Sequence, residues 1–234
     1  MRTTEQINLI KKNQSDPVQL LNAVSTEDIK NLINFYKNDA VTREKNTGPK
    51  VCFIKEGQGL IDNILKLLRT QFGNFKVRNA HFFDVTKPHM IHIDDDFEYS
   101  NSYKAFTIPL IVEGADCNLA KLIMFNQYYY GGPAKFIKGT NPDWIPVSYN
   151  KFITDYTDIE NKDDNGIPDD IKKFITHLQP LWTHKLSVHS YFPWTIGSII
   201  AFNALQLHCA SNFKEHGISR KLGISIFTTL PEEK

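Results

Sequence analysis

The residues of this chain best suited to chemistry are His92 and Asp94, separated by Ile93. In an extended segment, side chains two apart leave the same face, so this imidazole and carboxylate can grip one ion from adjacent directions. A third ligand must come from elsewhere, and His208 is the best candidate. It closes the run Gly197-Ser198-Ile199-Ile200-Ala201-Phe202-Asn203-Ala204-Leu205-Gln206-Leu207, which reads as a turn, an apolar strand and a short loop. Two imidazoles and one carboxylate on one side of a metal suit Fe(II) and leave three positions open, enough for a bidentate co-substrate and O2. His89, Asp95 and Asp96 are rival donors nearby. Downstream of His208 stand Arg220 and Lys221. A guanidinium offers a two-pronged fork to a carboxylate held near the metal. Strand alternation lets only one of the two face a pocket. The sequence favours Arg220, with Lys221 and Lys104 as alternatives.

These residues need a scaffold, and the apolar periodicity outlines one. Asp16-Pro17 followed by Val18, Leu20, Leu21 and Val24 predicts a short helix. Ser25 to Asp28, then Ile29, Leu32, Ile33 and Tyr36, predicts a capped amphipathic helix. Leu60, Ile61, Ile64, Leu65, Leu67 and Leu68 predict another, stopped near Gly73. Val51 to Ile54 is a short strand candidate. From Asn74 the period changes to alternation. Strands are expected over Phe75 to Phe83, Met90 to Ile93, Tyr103 to Val112, Lys121 to Phe125, Leu186 to Tyr191, Ser198 to Phe202 and Lys221 to Thr229. The stretch from about 128 to 185 interrupts them as an insert or lid, with a helix from about Asp169 to Leu178. The fold class read here is mainly β with flanking N-terminal helices, an antiparallel sandwich or barrel. The chain is one domain, 1-234, with a helical flank over 1-73 and the β core over 74-234.

His-x-Asp, a strand-rich stretch, a Gly-Ser-apolar strand, a distal His and a basic residue soon after together resemble the Fe(II)/2-oxoglutarate-dependent oxygenase superfamily, in its phytanoyl-type or prolyl-hydroxylase-type branch. The similarity covers roughly Asn74 to Leu230. It implies a double-stranded β-helix (jelly-roll) core, iron held by His92, Asp94 and His208, and the distal carboxylate of 2-oxoglutarate held by Arg220. Lys104, Thr107, Tyr103 and Asn79 are further candidates for oxoacid contact by strand placement. The implied reaction hydroxylates a substrate and releases succinate and CO2. Halogenating members have a small residue where this chain keeps Asp94, so hydroxylation is preferred. A cupin-like metalloenzyme without an oxoacid, and a non-catalytic jelly-roll binding module, are the competing readings.

Composition sets the remaining bounds. Lys plus Arg number 27 against 26 for Asp plus Glu. Such a balance gives no case for nucleic acid or acidic membranes as partners. No apolar run is long enough to span a bilayer. Cys52, Cys117 and Cys209 form no CxxC pair, so neither a disulfide scaffold nor a thiolate zinc site is expected. Met1 to Lys12 lacks a signal-peptide core. The expected location is cytoplasmic, and the expected partner a small molecule or a side chain of another protein. The run 161-169 spaces oxygen ligands as a calcium loop does, with Gly166 sixth, but position twelve is Lys172 instead of the bidentate Glu, so Ca(II) is a minor alternative to a polar turn. Tyr128, Tyr129 and Tyr130, and Trp144, Trp182 and Trp194, are read as packing first and pocket rim second.

Overall fold

A computed structural model of the chain describes residues 2–38, 50–54, 59–95, 101–131, 166–183 and 186–231. Within them, four helices are α1 (Thr4–Lys12), α2 (Thr26–Asn38), α3 (Asp62–Phe72) and α4 (Asp169–Lys172). The strands are β1 (Val18–Leu20), β2 (Lys50–Ile54), β3 (Lys76–Val85), β4 (Ser102–Glu113), β5 (Lys121–Tyr128), β6 (Val188–Pro193), β7 (Ile199–Asn203), β8 (Gln206–Ala210) and β9 (Arg220–Thr229). The protein is mainly β. No helix among the described residues is long and apolar enough to cross a membrane.

Two antiparallel sheets face each other. The larger has the order β1-β7-β4-β9-β3-β2 and the smaller β6-β5-β8. A bridge between His92 and His208 adds the His92 segment beside β8. Alternation decides which side chains go where. On β9, Leu222, Ile224 and Ile226 join Phe82, Phe106 and Ile108 under α2 and α3, which contribute Leu32, Tyr36, Ile64, Leu65 and Leu68. Each such buried side chain contributes about 1.5–3 kcal/mol of apolar transfer. The opposite face of β9 presents Lys221, Ser225 and Phe227 to the space between the sheets. There Ala105, Leu122, Met124, Ile200 and Phe202 form the inter-sheet core. The outer face of the small sheet, with Ile123, Phe125, Leu207 and Cys209, is covered by Ile171, Phe174, Ile175, Leu178 and Trp182.

The predicted helix α2 carries the Ser25 cap: the Ser25 hydroxyl accepts from Asp28 N at 3.0 Å and donates to the Asp28 carboxylate at 2.7 Å. The segment after Pro17 is not a helix but β1, paired with β7 through Val18↔Ala201 and Leu20↔Ile199. A single turn gains too little from local hydrogen bonds to compete with an open strand edge. Helix α1 was hidden in a polar stretch and is closed by a Thr3–Gln6 capping box. The helix expected from Asp169 to Leu178 is one regular turn followed by irregular turns. The short loop expected before His208 is the turn at Ala204 and Leu205, and His208 itself lies within the strand that follows it, β8. Most of the insert, 132–165, lies outside the described residues. It includes Trp144 and positions 161–165 of the calcium-like run. The rest of that run holds Gly166 at φ +69° and Pro168 capping α4.

Candidate metal centre

His92 and His208 are brought together by backbone pairing. His92 N donates to His208 O and His208 N to His92 O, both at 3.0 Å, and Asp94 N donates to Ala204 O at 2.8 Å. The extended His92 segment therefore presents His92 and Asp94 toward the His208 ring. Asp94 Oδ1 is 3.5 Å from His92 Nε2, and Oδ2 is 3.4 Å from His208 Nε2. One ligand atom from each of the three lies within 4.8 Å of the others. Donors on one face of an octahedral ion with bonds of about 2.1 Å stand about 3 Å apart, so closing this set on a metal needs only small side-chain shifts.

The tautomers suit a metal as well. His92 Nδ1 lies 2.7 Å from Met90 O, and His208 Nδ1 lies 2.9 Å from Gln206 O. A carbonyl only accepts, so each Nδ1 carries the hydrogen and each Nε2 keeps its lone pair. Burial pushes His92 toward the neutral form, and the neighbouring His208 acts in the same direction. Burial alone would raise Asp94, but His208 and then His92 beside it hold its carboxyl well below the usual range. Neutral imidazole and ionised carboxylate are the forms a divalent metal binds. Among the rival donors, His89 meets His92 edge-on, its Nδ1 3.1 Å from His92 Nε2. The Asp95 carboxylate is held by Arg2 at 2.6 Å and accepts from Ser102 Oγ at 2.5 Å. Asp96 is outside the described residues.

The three donors line a cavity of about 250 Å³. Its far wall carries Lys221, which is 2% exposed. The Lys221 ammonium sits over the Trp194 ring at 4.0 Å and the Phe213 ring at 4.6 Å. Among the described residues it makes no hydrogen bond or ion pair, and burial pushes its pKa down to about 7. Thr107 and Ser225, opposite one another on β4 and β9, line the same cavity.

The sequence preference for Arg220 is corrected by the register of β9. Arg220 shares the outer face with Leu222, and its Nε and Nη2 donate to Asp84 at 2.8 and 2.9 Å. It also pairs with Glu113. Lys104, the other alternative, turns away to Ser15 Oγ and Asn203 Oδ1, both at 2.6 Å. Tyr103 does not line the cavity: its hydroxyl donates to Phe72 O at 2.9 Å under α3. Asn79 sits opposite Phe227 at a bulge, where Arg78 takes the cavity-lining place. Of the further oxoacid candidates Lys104, Thr107, Tyr103 and Asn79, Thr107 alone lines the cavity. The alternation of Leu222, Ile224 and Ile226 was the signal that put Lys221 on the inner face. Trp194 lines the pocket, whereas Trp182 and Tyr129 are core.

No family sequence model matches the chain, and no curated protein matches it in sequence. Solved structures do match, over nearly its full length. The α-ketoglutarate-dependent carbocyclase SnoK of nogalamycin biosynthesis superposes with a TM-score of 0.52 at 9% identity, over 97% of this chain and 84% of that one. The epimerase SnoN, in complex with Fe3+, α-ketoglutarate and nogalamycin RO, gives 0.51 at 10% identity over 97% and 84%. A prolyl-4-hydroxylase from Pseudomonas putida gives 0.50 at 9% over 97% and 99%. This chain has the fold of the 2-oxoglutarate, Fe(II) oxygenases. The likeness lies in the backbone architecture, and the assignment of individual side chains rests on the geometry above.

Proposed function

We propose that the protein is an Fe(II)- and 2-oxoglutarate-dependent dioxygenase that hydroxylates its substrate with release of succinate and CO2. The observation that carries this reading is one cavity with two complementary walls: His92, Asp94 and His208 converge on one side, and Lys221 stands buried on the other. The strand order supports a double-stranded β-helix, since β7-β4-β9-β3 form one sheet and β6-β5-β8 with the His92 segment form the other. In that reading His92 and His208 bind iron through Nε2, and their Nδ1–H bonds to Met90 O and Gln206 O fix the ring planes. Asp94 supplies the anionic ligand. Lys221 receives the distal carboxylate of 2-oxoglutarate, and the Trp194 and Phe213 rings keep water from that contact. Thr107 offers a hydroxyl on the same wall. Bound iron and 2-oxoglutarate supply O2 activation coupled to oxidative decarboxylation, and the cavity aims the resulting oxidation at one C–H bond. The substrate is a small molecule or a protein side chain, and a reducing cytoplasmic setting fits the three free thiols.

The test is an anaerobic titration of the metal-free protein with Fe(II), then 2-oxoglutarate, followed by visible absorption. A weak charge-transfer band that needs both additions and disappears in His92→Ala and His208→Ala is the expected result. Failure to retain iron, or iron bound with no response to 2-oxoglutarate, overturns the reading.

A further inference from the structure

The segment that carries His92 and Asp94 lies outside the strands β1–β9. It is held to the small sheet by the His92–His208 bridge and by Asp94 N on Ala204 O. Among the described residues, the polar side-chain contacts of the Asp94 carboxylate are the two imidazoles, so its position follows that of its backbone. Helix α1 shares a core with this segment: Ile10 is buried in the cluster that holds Met90, Ile91 and Ile93. Both ends of α1 are tied down. Before it, Arg2 Nη2 donates to Asp95 Oδ1 at 2.6 Å, and Nη1 donates to Tyr130 O at 3.1 Å. After it, Gln14 Nε2 donates to Tyr130 Oη at 2.8 Å, and Asn203 Nδ2 donates to Ser15 O at 2.7 Å. The Arg2 and Asp95 side chains are 6% and 0% exposed. Asp95 Oδ1 takes both Arg2 and the Ser102 hydroxyl, and Oδ2 is buried with no hydrogen-bond partner among the described residues. Without Arg2, a carboxylate closed off from water would keep one hydroxyl. A buried charge stripped of its counter-charge is strongly unfavourable, and moving it toward water relieves the cost. Asp95 follows Asp94 directly, so that movement would carry a metal ligand with it.

We propose that Arg2 is a positioning residue of the metal centre: it fixes Asp95, and through Asp95 it sets Asp94 against His92 and His208. Helix α1 is then part of the site and not only of its outer cover. This rests on the reading of His92, Asp94 and His208 as the metal set.

The probe is Mn(II), titrated into the metal-free full chain and followed by the EPR signal of the free ion, with thermal melting of each metal-free variant beside it. Arg2→Met, which removes the charge and keeps most of the length, should weaken Mn(II) binding by about tenfold or more. Arg2→Lys, which returns the charge, should recover part of that loss. In an Asp95→Asn background, where no stranded carboxylate remains, Arg2→Met should change the affinity by no more than about twofold. Gln6→Ala removes half of the α1 capping box without touching the ion pair, so it should lower the melting temperature and leave Mn(II) affinity unchanged. A role confined to docking the helix predicts otherwise: Gln6→Ala and Arg2→Met would weaken Mn(II) in proportion to their loss of stability, and the Arg2→Met effect would be equal in both backgrounds. Either result overturns the proposal, as does unchanged affinity in an Arg2→Met protein that melts cooperatively. If Arg2→Met does not fold, Arg2→Lys, alone and with Asp95→Asn, carries the same comparison. A wild type that binds no Mn(II) counts against the metal set itself, and the proposal falls with it. A protein that binds Mn(II) equally well whatever stands at position 2 sinks the proposal alone.

Discussion

On the proposed reading of Lys221 as the oxoacid's partner, its burial makes a proton part of oxoacid binding. Its pKa is pushed down to about 7 from 10.5 by burial among apolar atoms, with Trp194 and Phe213 as its contacts. At pH 8 a group of pKa 7 is protonated in only about one molecule in ten. A carboxylate placed against it favours the charged form, so the bound state keeps the proton. Binding at pH 8 should therefore take up about 0.9 proton, and at pH 6 about 0.1. Affinity for 2-oxoglutarate should fall by up to about tenfold per pH unit above 7. The other titratable groups facing the cavity are His81, His89, His92, His208, Lys87, Asp94 and Asp95. With metal in place, His92, His208 and Asp94 are committed, and burial lowers the pKa of His81 to about 4, so it stays neutral throughout this range. The measurement is anaerobic calorimetric titration of the Fe(II)-loaded protein at pH 8, in HEPES and in Tris, whose ionisation enthalpies differ. The apparent heats should differ by about 0.9 of that enthalpy gap in the wild type, and the difference should collapse in Lys221→Met, which also binds far more weakly. Equal heats in the two buffers, or an unchanged difference in the variant, would refute the assignment of Lys221.

The same buried lysine predicts the pH dependence of the metal-free protein. Its folded pKa lies below its unfolded one, so the unfolded chain binds more protons between pH 7 and 10.5, and stability from this group should rise with pH across that window. Melting curves of wild type and Lys221→Met should converge toward the alkaline end of the window. Arg220→Ala should cost about 1–2 kcal/mol in denaturant titration, because Asp84 loses its two-pronged partner at a partly exposed site, while the oxoacid requirement stays unchanged. A raised oxoacid requirement would return Arg220 to the pocket. Gly223→Ala should destabilise by about 1–3 kcal/mol, since the added Cβ would stand 2.7 Å from Phe83 Cζ and 3.0 Å from both Ile108 O and Trp194 Cζ2. Any displacement of Trp194 should appear as weaker oxoacid binding in the same variant.

Much of this was legible because period-2 alternation is a local property. The strands from β3 onward follow apolar patterns that a single segment displays, and His-x-Asp needs no partner to be recognised as two donors on one face. What failed was information carried by pairing. The residues after Pro17 form β1 because β7 offers an edge, which their own sequence does not record. Tyr103 left the cavity face because the bulge between Ser102 and Ala105 shifts the phase of β4, and at the bulge between Val77 and Asn79 it is Arg78 that lines the cavity. Arg78 and His81 of β3 and Phe213, well over a hundred residues later, reach the same cavity, and nothing in the sequence joins those two places.

The choice between neighbouring Arg220 and Lys221 shows where residue type and position must agree. Both are cations, and a reading by type prefers the guanidinium for its fork. The inner position, however, is ringed by Trp194 and Phe213 and is nearly closed to solvent before any oxoacid arrives. An arginine there could not shed its proton and would leave a bare buried charge in the empty protein, at a cost of several kcal/mol. A lysine can become neutral, wait in the apolar wall, and recharge when a carboxylate binds. The outer position is the reverse case. It is partly solvated, already supplied with Asp84 and Glu113, and served best by a permanently charged fork that ties β9 to β3 and β4. On the proposed reading, the order Arg-Lys at the start of β9 lets one strand staple the sheet on its outer face and receive an anion on its inner one, and exchanging the two residues should damage both.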